Sequence, residues 1–306
     1  MRFTVCTATF NRAHTLHRVF DSLKAQTFQD FEWLVIDDGS SDETETLIAR
    51  WQSRTSFSIR YKYQQNQGKH IAINLGATLA LGDFFVVADS DDAFLPNALE
   101  VFYEAWLAIP KTSRSDFVGV TGLCVTDDGR IIGDRFPEDI LDTTSLEVSY
   151  RHRVDGEKWG FYRTDIIRQF PSPSIDGLSF FSESIIWHAI GRRYMTRFIN
   201  KPLRIYKQDA GDQLTRRSPS DTAPAGVFYV ITLNNDHDYM FVAPMFFARI
   251  AAHGVRFALH RSESLTTQLS QLRQPKLKAL WMIVFIPGLL LYLTDLISAK
   301  KTRSNL

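Results

Sequence analysis

Cysteine is nearly missing from this chain. Of 306 residues only Cys6 and Cys124 are cysteines, and neither lies in a C-x-x-C pair or a Cys/His cluster. A disulfide framework and a zinc site are therefore not expected, and a reducing compartment suits the composition. Net charge is nearly missing too. The 35 Lys and Arg residues against 34 Asp and Glu leave +1, which gives no global electrostatic case for nucleic acid. No G-x-G-x-x-G follows the first apolar run, and no G-x-x-x-x-G-K-[ST] occurs anywhere. A dinucleotide fold or a P-loop would thus lack its phosphate-binding device, and phosphate charge would have to be met by a metal. No signal-peptide pattern precedes Met1-Arg2-Phe3-Thr4-Val5, which starts directly as a strand. Retention on the cytoplasmic side is the expectation.

What remains is an ordinary globular composition, 44% hydrophobic and 23% charged, on a length that suits one large domain or two small ones. Residues 3–9, 31–36, 59–63 and 84–88 read as β-rich strands. Between them, Leu16, Val19, Phe20 and Leu23, then residues 43–52, then Ile71, Leu75, Thr78 and Leu79 recur at helical spacing. The order β-α-β-α-β-α-β predicts a mostly parallel sheet with helices on both faces. Ligands bind such sheets outside the carboxyl ends of the strands. Three polar groups fall at those ends: Thr7 to Asn11, Asp37-Asp38, and Asp89-Ser90-Asp91-Asp92. Three carboxylates within four residues repel one another, and each needs water or a cation. A divalent ion with oxygen ligands relieves that repulsion; a solvated acidic turn is the alternative.

Further along, 96–106 reads as a helix opened by proline and 116–125 as a strand, while 131–150 is irregular. The run Asp155 to Tyr162 mixes glycine, charge and aromatics. It reads either as a hairpin with buried rings or as the wall of an acceptor site, with Lys158 and Trp159 facing a sugar. Glu183 follows the pair Phe180-Phe181 at a helix start, where burial would raise its pKa and suit a general base. His188, on the same helix, reads as a surface or core histidine. Residues 196–206 form another strand and pass into the polar loop 207–213. That loop is either ordinary or a lid, with Lys207 or Arg204 facing phosphates.

Residues 279–293 are uncharged and strongly apolar, broken by Pro287-Gly288 and flanked by Arg273, Lys276, Lys278, Lys300, Lys301 and Arg303. The run is shorter than the ~20 residues that span a bilayer. An interfacial or re-entrant anchor over 279–297 is expected, against the alternative of a helix buried on the protein's own core.

The first 110 residues resemble the family 2 glycosyltransferases, which have the GT-A fold. The resemblance is carried by Thr7-Ala8-Thr9-Phe10-Asn11-Arg12, by Ser22 to Thr27, by Phe31 to Asp42 and by Asp89-Ser90-Asp91-Asp92. Residues 155–213 resemble a bacterial subgroup that builds surface polysaccharides. The chain departs from the pattern at Ala8, where many members carry proline, and at Glu183-Ser184, where paired acids are common.

The resemblance implies an α/β GT-A domain over 1–213, with a Rossmann-like nucleotide-sugar half (1–110), an acceptor half (111–213) and a C-terminal helical extension (214–306). It implies that Asp38 reads the nucleobase and that Thr7, Thr9 and Asn11 line the nucleotide pocket. Gly68 and Lys69 would lie near base and ribose. Asp89-Ser90-Asp91 would hold ribose and a Mn²⁺ or Mg²⁺ ion, with Asp92 as the alternative ligand. Glu183 would be the catalytic base of an inverting transfer from a nucleotide-diphosphate sugar, UDP-linked, to a glycan or lipid-linked hydroxyl. The protein would then work on the cytoplasmic side, at the inner face of the cell membrane. Two rival readings are a metal-dependent nucleotidyltransferase and a non-catalytic nucleotide- or glycan-binding scaffold.

Overall fold

The computed structural model describes residues 1–174, 181–207 and 223–304. They fall into two compact units, one of residues 1–175 with 186–210 and one of 176–185 with 211–306. The expected boundary at 213 lies outside the described residues.

The first unit carries every strand. In chain order these are β1 (Phe3–Thr9), β2 (Phe31–Asp37), β3 (Ser58–Tyr63), β4 (Phe84–Val87), β5 (Ala93–Phe94), β6 (Phe117–Val125), β7 (Ile140–Thr143), β8 (Lys158–Arg163) and β9 (Met195–Ile205). They form one sheet in the order β3-β2-β1-β4-β8-β6-β9-β5, with β7 added on β9. The first four strands are parallel, with Thr9 level with Asp37 and Cys6 level with Val87. β8 then runs antiparallel to both β4 and β6. The resulting mixed α/β sheet is of the GT-A type.

Helices α1 (His17–Lys24), α2 (Thr44–Gln52), α3 (Lys69–Leu79), α4 (Ala98–Leu107), α5 (Thr164–Ile167) and α6 (Glu183–Gly191) accompany the sheet in sequence. β2 is buried at every position and β1 at nearly every one. That is why they read as continuous apolar runs rather than alternating ones. α3 approaches β1 through a small residue: a Cβ added to Gly76 would lie inside contact distance of the Cys6 sulfur. Cys6 and Cys124 are both free and buried, so the scarcity of cysteine reflects packing rather than cross-linking.

The core is unusually aromatic. Phe3, Phe84, Phe102 and Trp106 surround Phe161 with ring centroids 4.6–5.9 Å apart. Phe20 stacks on Trp51 at 4.3 Å. Such pairs add about 0.5–1.5 kcal/mol each beyond their buried area.

The expected irregular stretch 131–150 contains β7 and one π-helical turn, Glu147–Arg151. The expected helix at 96–106 starts two residues later, at Ala98, because Pro96 sits in the turn before it, where its carbonyl accepts from the Thr27 N–H at 2.8 Å.

The second unit is helical: α7 (Val227–Asp236), α8 (Pro244–His260), α9 (Leu265–Ser270), α10 (Pro275–Ile283) and α11 (Phe285–Ser304). Phe181 belongs to it and packs edge-on against Phe228. Gly254 and Gly288 let these helices approach closely. A Cβ on Gly254 would meet the Trp281 ring at 2.6 Å, and one on Gly288 would meet Val255 at 2.6 Å.

Candidate active site

The carboxyl ends of β1, β2 and β4 are tied together by hydrogen bonds. The Asp38 N–H donates to the Thr9 carbonyl at 2.8 Å. Asn11 adopts a left-handed backbone, φ 53°, a region asparagine tolerates better than most residues. In that conformation its N–H donates to Ser40 Oγ at 2.9 Å, and its Oδ1 accepts from the Ser41 N–H at 2.8 Å. Asn11 therefore joins the β1 loop to the β2 loop. Asp37 closes the second loop by accepting from the Ser40 N–H at 2.8 Å and from the Tyr61 hydroxyl at 2.7 Å.

Asp38 organises the loop that enters α3. Its Oδ1 accepts from Gln64 Nε2 at 2.7 Å and the Gln67 N–H at 2.9 Å, and its Oδ2 accepts from the Gly68 N–H at 2.8 Å. Gly68 has φ 95° and sits directly before the first residue of α3. Gly39, at φ 90°, is constrained twice over, because an added Cβ would lie 2.9 Å from the Asn66 nitrogen. Gly39→Ala is thus expected to lower unfolding free energy by roughly 1–3 kcal/mol, the cost of a strained left-handed site. Chemical denaturation measures it; a change under about 0.5 kcal/mol would show that the loop yields freely.

The acidic strand end divides into distinct roles. Asp89 pairs with Lys69 Nζ at 2.6 Å through Oδ1 and with Arg204 Nη2 at 2.6 Å through Oδ2. Burial works against ionisation of Asp89, but the two cations hold its carboxyl well below the usual range. Asp92 is 1% exposed. Arg204 Nε donates to it at 2.6 Å, Arg204 Nη2 also pairs with it, and the Lys207 N–H donates to its other oxygen at 2.9 Å. Burial raises the Asp92 carboxyl against the pull of Arg204. Both its oxygens are engaged by the protein, as are those of Asp89. Asp91 differs: its carboxylate is 18% exposed and meets Arg12 Nη1 at 3.2 Å, while its carbonyl accepts from Arg18. Ser90 lies half-buried between them.

Three expectations change. Arg204 does not face outward from a lid; it is buried behind Asp89 and Asp92, and residues 208–213 lie outside the described residues. Thr7 is fully buried and its Oγ1 accepts from the Trp33 indole at 3.0 Å, so its side chain serves the core. Trp159 is 4% exposed, stacks on Phe94 at 4.5 Å and donates its indole N–H to the Val87 carbonyl at 2.7 Å. Its ring supports the strand that ends in Asp89 from inside and offers no wall to a sugar. Lys158 donates to the Asp155 and Gly156 carbonyls at 2.7 and 3.2 Å. Burial depresses its pKa.

Thr9 contrasts with Thr7. It is buried at the end of β1, and its Oγ1 has no hydrogen-bond partner among the described residues. A buried hydroxyl of that kind costs about 1–3 kcal/mol unless something satisfies it, which marks this edge as a place where a polar ligand fits. No cluster of three His, Cys, Asp or Glu side chains able to hold a metal is found among the described residues. A donor-assisted site needs less, because Mg²⁺ sites commonly use one or two carboxylates with substrate phosphates supplying the remainder. Asp91 fits that pattern. Glu183 occupies the first turn of α6, half-buried, and is grouped with the helical unit.

Comparisons with known proteins give the family. The profile of glycosyl transferase family 2 matches residues 4–156. An uncharacterized glycosyltransferase of Nostoc sp. is 33% identical over 120 residues, 39% of this chain and 35% of that protein. The chain thus matches about a third of that relative's length. The GalNAc(5)-diNAcBac-PP-undecaprenol beta-1,3-glucosyltransferase of Campylobacter jejuni is 25% identical over 220 residues, covering 70% of this chain and 67% of the relative. Among solved structures, residues 1–349 of S. aureus TarS in complex with UDP-GlcNAc align at TM-score 0.59 and 20% identity over 94% of this chain and 81% of that one. The mannosyltransferase PcManGT of Pyrobaculum calidifontis, in complex with GDP-Man and Mn²⁺, aligns at 0.54 and 18% over 96% and 87%. With half of its residues matched to the family profile, this chain belongs to glycosyl transferase family 2.

Proposed function

We propose that the protein is an inverting glycosyltransferase. It moves a sugar from a nucleotide-diphosphate donor, UDP-linked, to a hydroxyl on a lipid-linked or growing surface glycan. The observation that carries this reading is the joined edge of β1, β2 and β4, where the unpartnered Thr9 hydroxyl, the Asp38 loop and Asp89–Asp91 meet in a chain of this family. The Campylobacter relative is named for action on an undecaprenol-linked glycan, and one structural neighbour is bound to UDP-GlcNAc; both support the choice of donor and acceptor class.

In this reading Asp38 shapes the base pocket by holding Gln67 and Gly68, and Asn11 and Thr9 border it. Lys69 and Asp89 lie between that loop and the acidic turn. Asp91, together with donor phosphates, would hold Mn²⁺ or Mg²⁺, which supplies charge neutralisation of the departing diphosphate. Glu183 takes the proton from the acceptor hydroxyl as it attacks the anomeric carbon from the face opposite the leaving group. The protein works on the cytoplasmic side, at the membrane that carries the acceptor.

Release of nucleoside diphosphate from a panel of nucleotide sugars, with and without acceptor, tests the reading. Release of pyrophosphate instead would assign a nucleotidyltransferase, and binding without turnover a scaffold. Asp91→Asn is expected to weaken nucleotide binding in Mn²⁺ by about a hundredfold, at least the loss caused by disturbing a metal's outer partners. The same calorimetric titration in chelator should give equal affinities for both forms. A variant that binds normally in Mn²⁺ would remove Asp91 from the metal.

A further inference from the structure

The face that α10 and α11 turn outward is their apolar one. Trp281, Val284 and Gly288 point inward, and Asp295 continues that line. Asp295 is held on α8 by a bidentate pair with Arg256, Nε at 2.6 Å and Nη2 at 2.5 Å, and by His260 Nε2 at 2.8 Å. This cluster fixes the rotation of α11. The opposite stripe then carries Met282, Ile283, Ile286, Leu290, Leu293 and Ile297, all exposed, with Ile283 at 76% and Ile286 at 68%. Hydrophobic residues scattered singly on a surface are normal; a continuous stripe marks an interaction site. It is extended at its start by Phe241, 77% exposed, whose ring lies 5.6 Å from the Lys276 ammonium.

Charge identifies the occupant. Residues 264–306 contain six basic residues, Arg273, Lys276, Lys278, Lys300, Lys301 and Arg303, and one acid, Asp295. That one acid is already neutralised inside the unit by Arg256. A second copy docking by the same face would bring like charges together. Length decides the geometry. Pro275–Ile283 and Phe285–Ser298 meet at a 52° bend; among the described residues no single helix is long and apolar enough to cross a membrane, and only this bent pair taken together has the length and composition for it. At 1.5 Å per residue α10 falls far short of the ~30 Å of a hydrocarbon core, and α11 matches that length only by counting a last stretch that carries Lys300, Lys301 and Arg303.

We propose that α10 and α11 form a monotopic face that lies flat in the headgroup region of an anionic bilayer. The outward apolar stripe enters the acyl boundary and the exposed Arg273 and Lys278 meet lipid phosphates. The proposal gives the membrane partner named above a defined surface, and it holds or fails independently of sugar transfer.

Flotation of the full chain tests it, using phosphatidylcholine vesicles with and without phosphatidylglycerol. The chain should float with the anionic vesicles and bind the neutral ones about tenfold less or weaker. The triple variant Ile286→Glu/Leu290→Glu/Leu293→Glu should lose binding by about tenfold or more. Because these side chains touch solvent, its melting temperature and circular dichroism should match those of the parent. Arg273→Glu/Lys278→Glu should lose the preference for anionic lipid. Absence of flotation, or equal flotation by the triple variant, overturns the proposal. So does a concentration-dependent dimer that the triple variant dissolves while neither form binds vesicles, which assigns the stripe to a second copy.

Discussion

Arg204→Ala should destabilise the sheet unit by about 3–5 kcal/mol, the range for removing one partner from a buried ion pair. Arg204 is 5% exposed and joins Asp89 and Asp92. Without it, Asp92 keeps only the Lys207 N–H, and Asp89 keeps only Lys69. Two carboxylates then face each other in a largely buried turn, with one ammonium between them where a guanidinium and an ammonium stood before. Arg204→Lys is expected to recover only part of the loss. An ammonium is a point charge and cannot present Nε and Nη2 in one plane to two acids. Urea denaturation reads the free energy, and a loss below about 1 kcal/mol would place Arg204 among the surface pairs that contribute little. Replacing Arg204 and Asp92 together by apolar residues of similar volume should restore much of the stability.

The second large effect concerns Glu183. Glu183→Gln keeps size and shape but cannot accept the acceptor's proton, so transfer should fall by about 10²–10⁴. Nucleotide affinity, measured separately by calorimetry, should stay at the level of the parent, because the proposed role of Glu183 is toward the acceptor hydroxyl and not the nucleotide. Near-normal turnover in the variant removes Glu183 from the role. Loss of both turnover and nucleotide binding would show instead that the residue supports the fold.

The parallel half of the sheet was legible in the sequence because β1, β2 and β4 are buried on both faces and end in polar residues. β7 was not. Its four residues alternate in exposure and it forms only by pairing with β9, which no local pattern announces. The acidic turn was legible as a site, whereas the division among its three carboxylates depends on Arg204, more than a hundred residues later. Thr7 and Thr9 look equivalent in sequence; Trp33 on the neighbouring strand distinguishes them by occupying one hydroxyl and leaving the other. Trp159 carried the signature of a sugar platform, but an indole that stacks on Phe94 beneath β4 has the same composition. The resemblance places Gly68 and Lys69 near base and ribose, but the dependence of that loop on Asp38 emerges only when both strand ends are in view.

The pairing of each acid in the turn with a cation bears on how a donor arrives. Lys69, Arg204 and Arg12 stand against Asp89, Asp92 and Asp91. An uncompensated acidic turn would set up a field that repels an incoming diphosphate over roughly 8–10 Å at physiological ionic strength. With the charges matched at contact distance, that far field largely cancels. If the proposed function holds, donor capture is expected to show little sensitivity to salt.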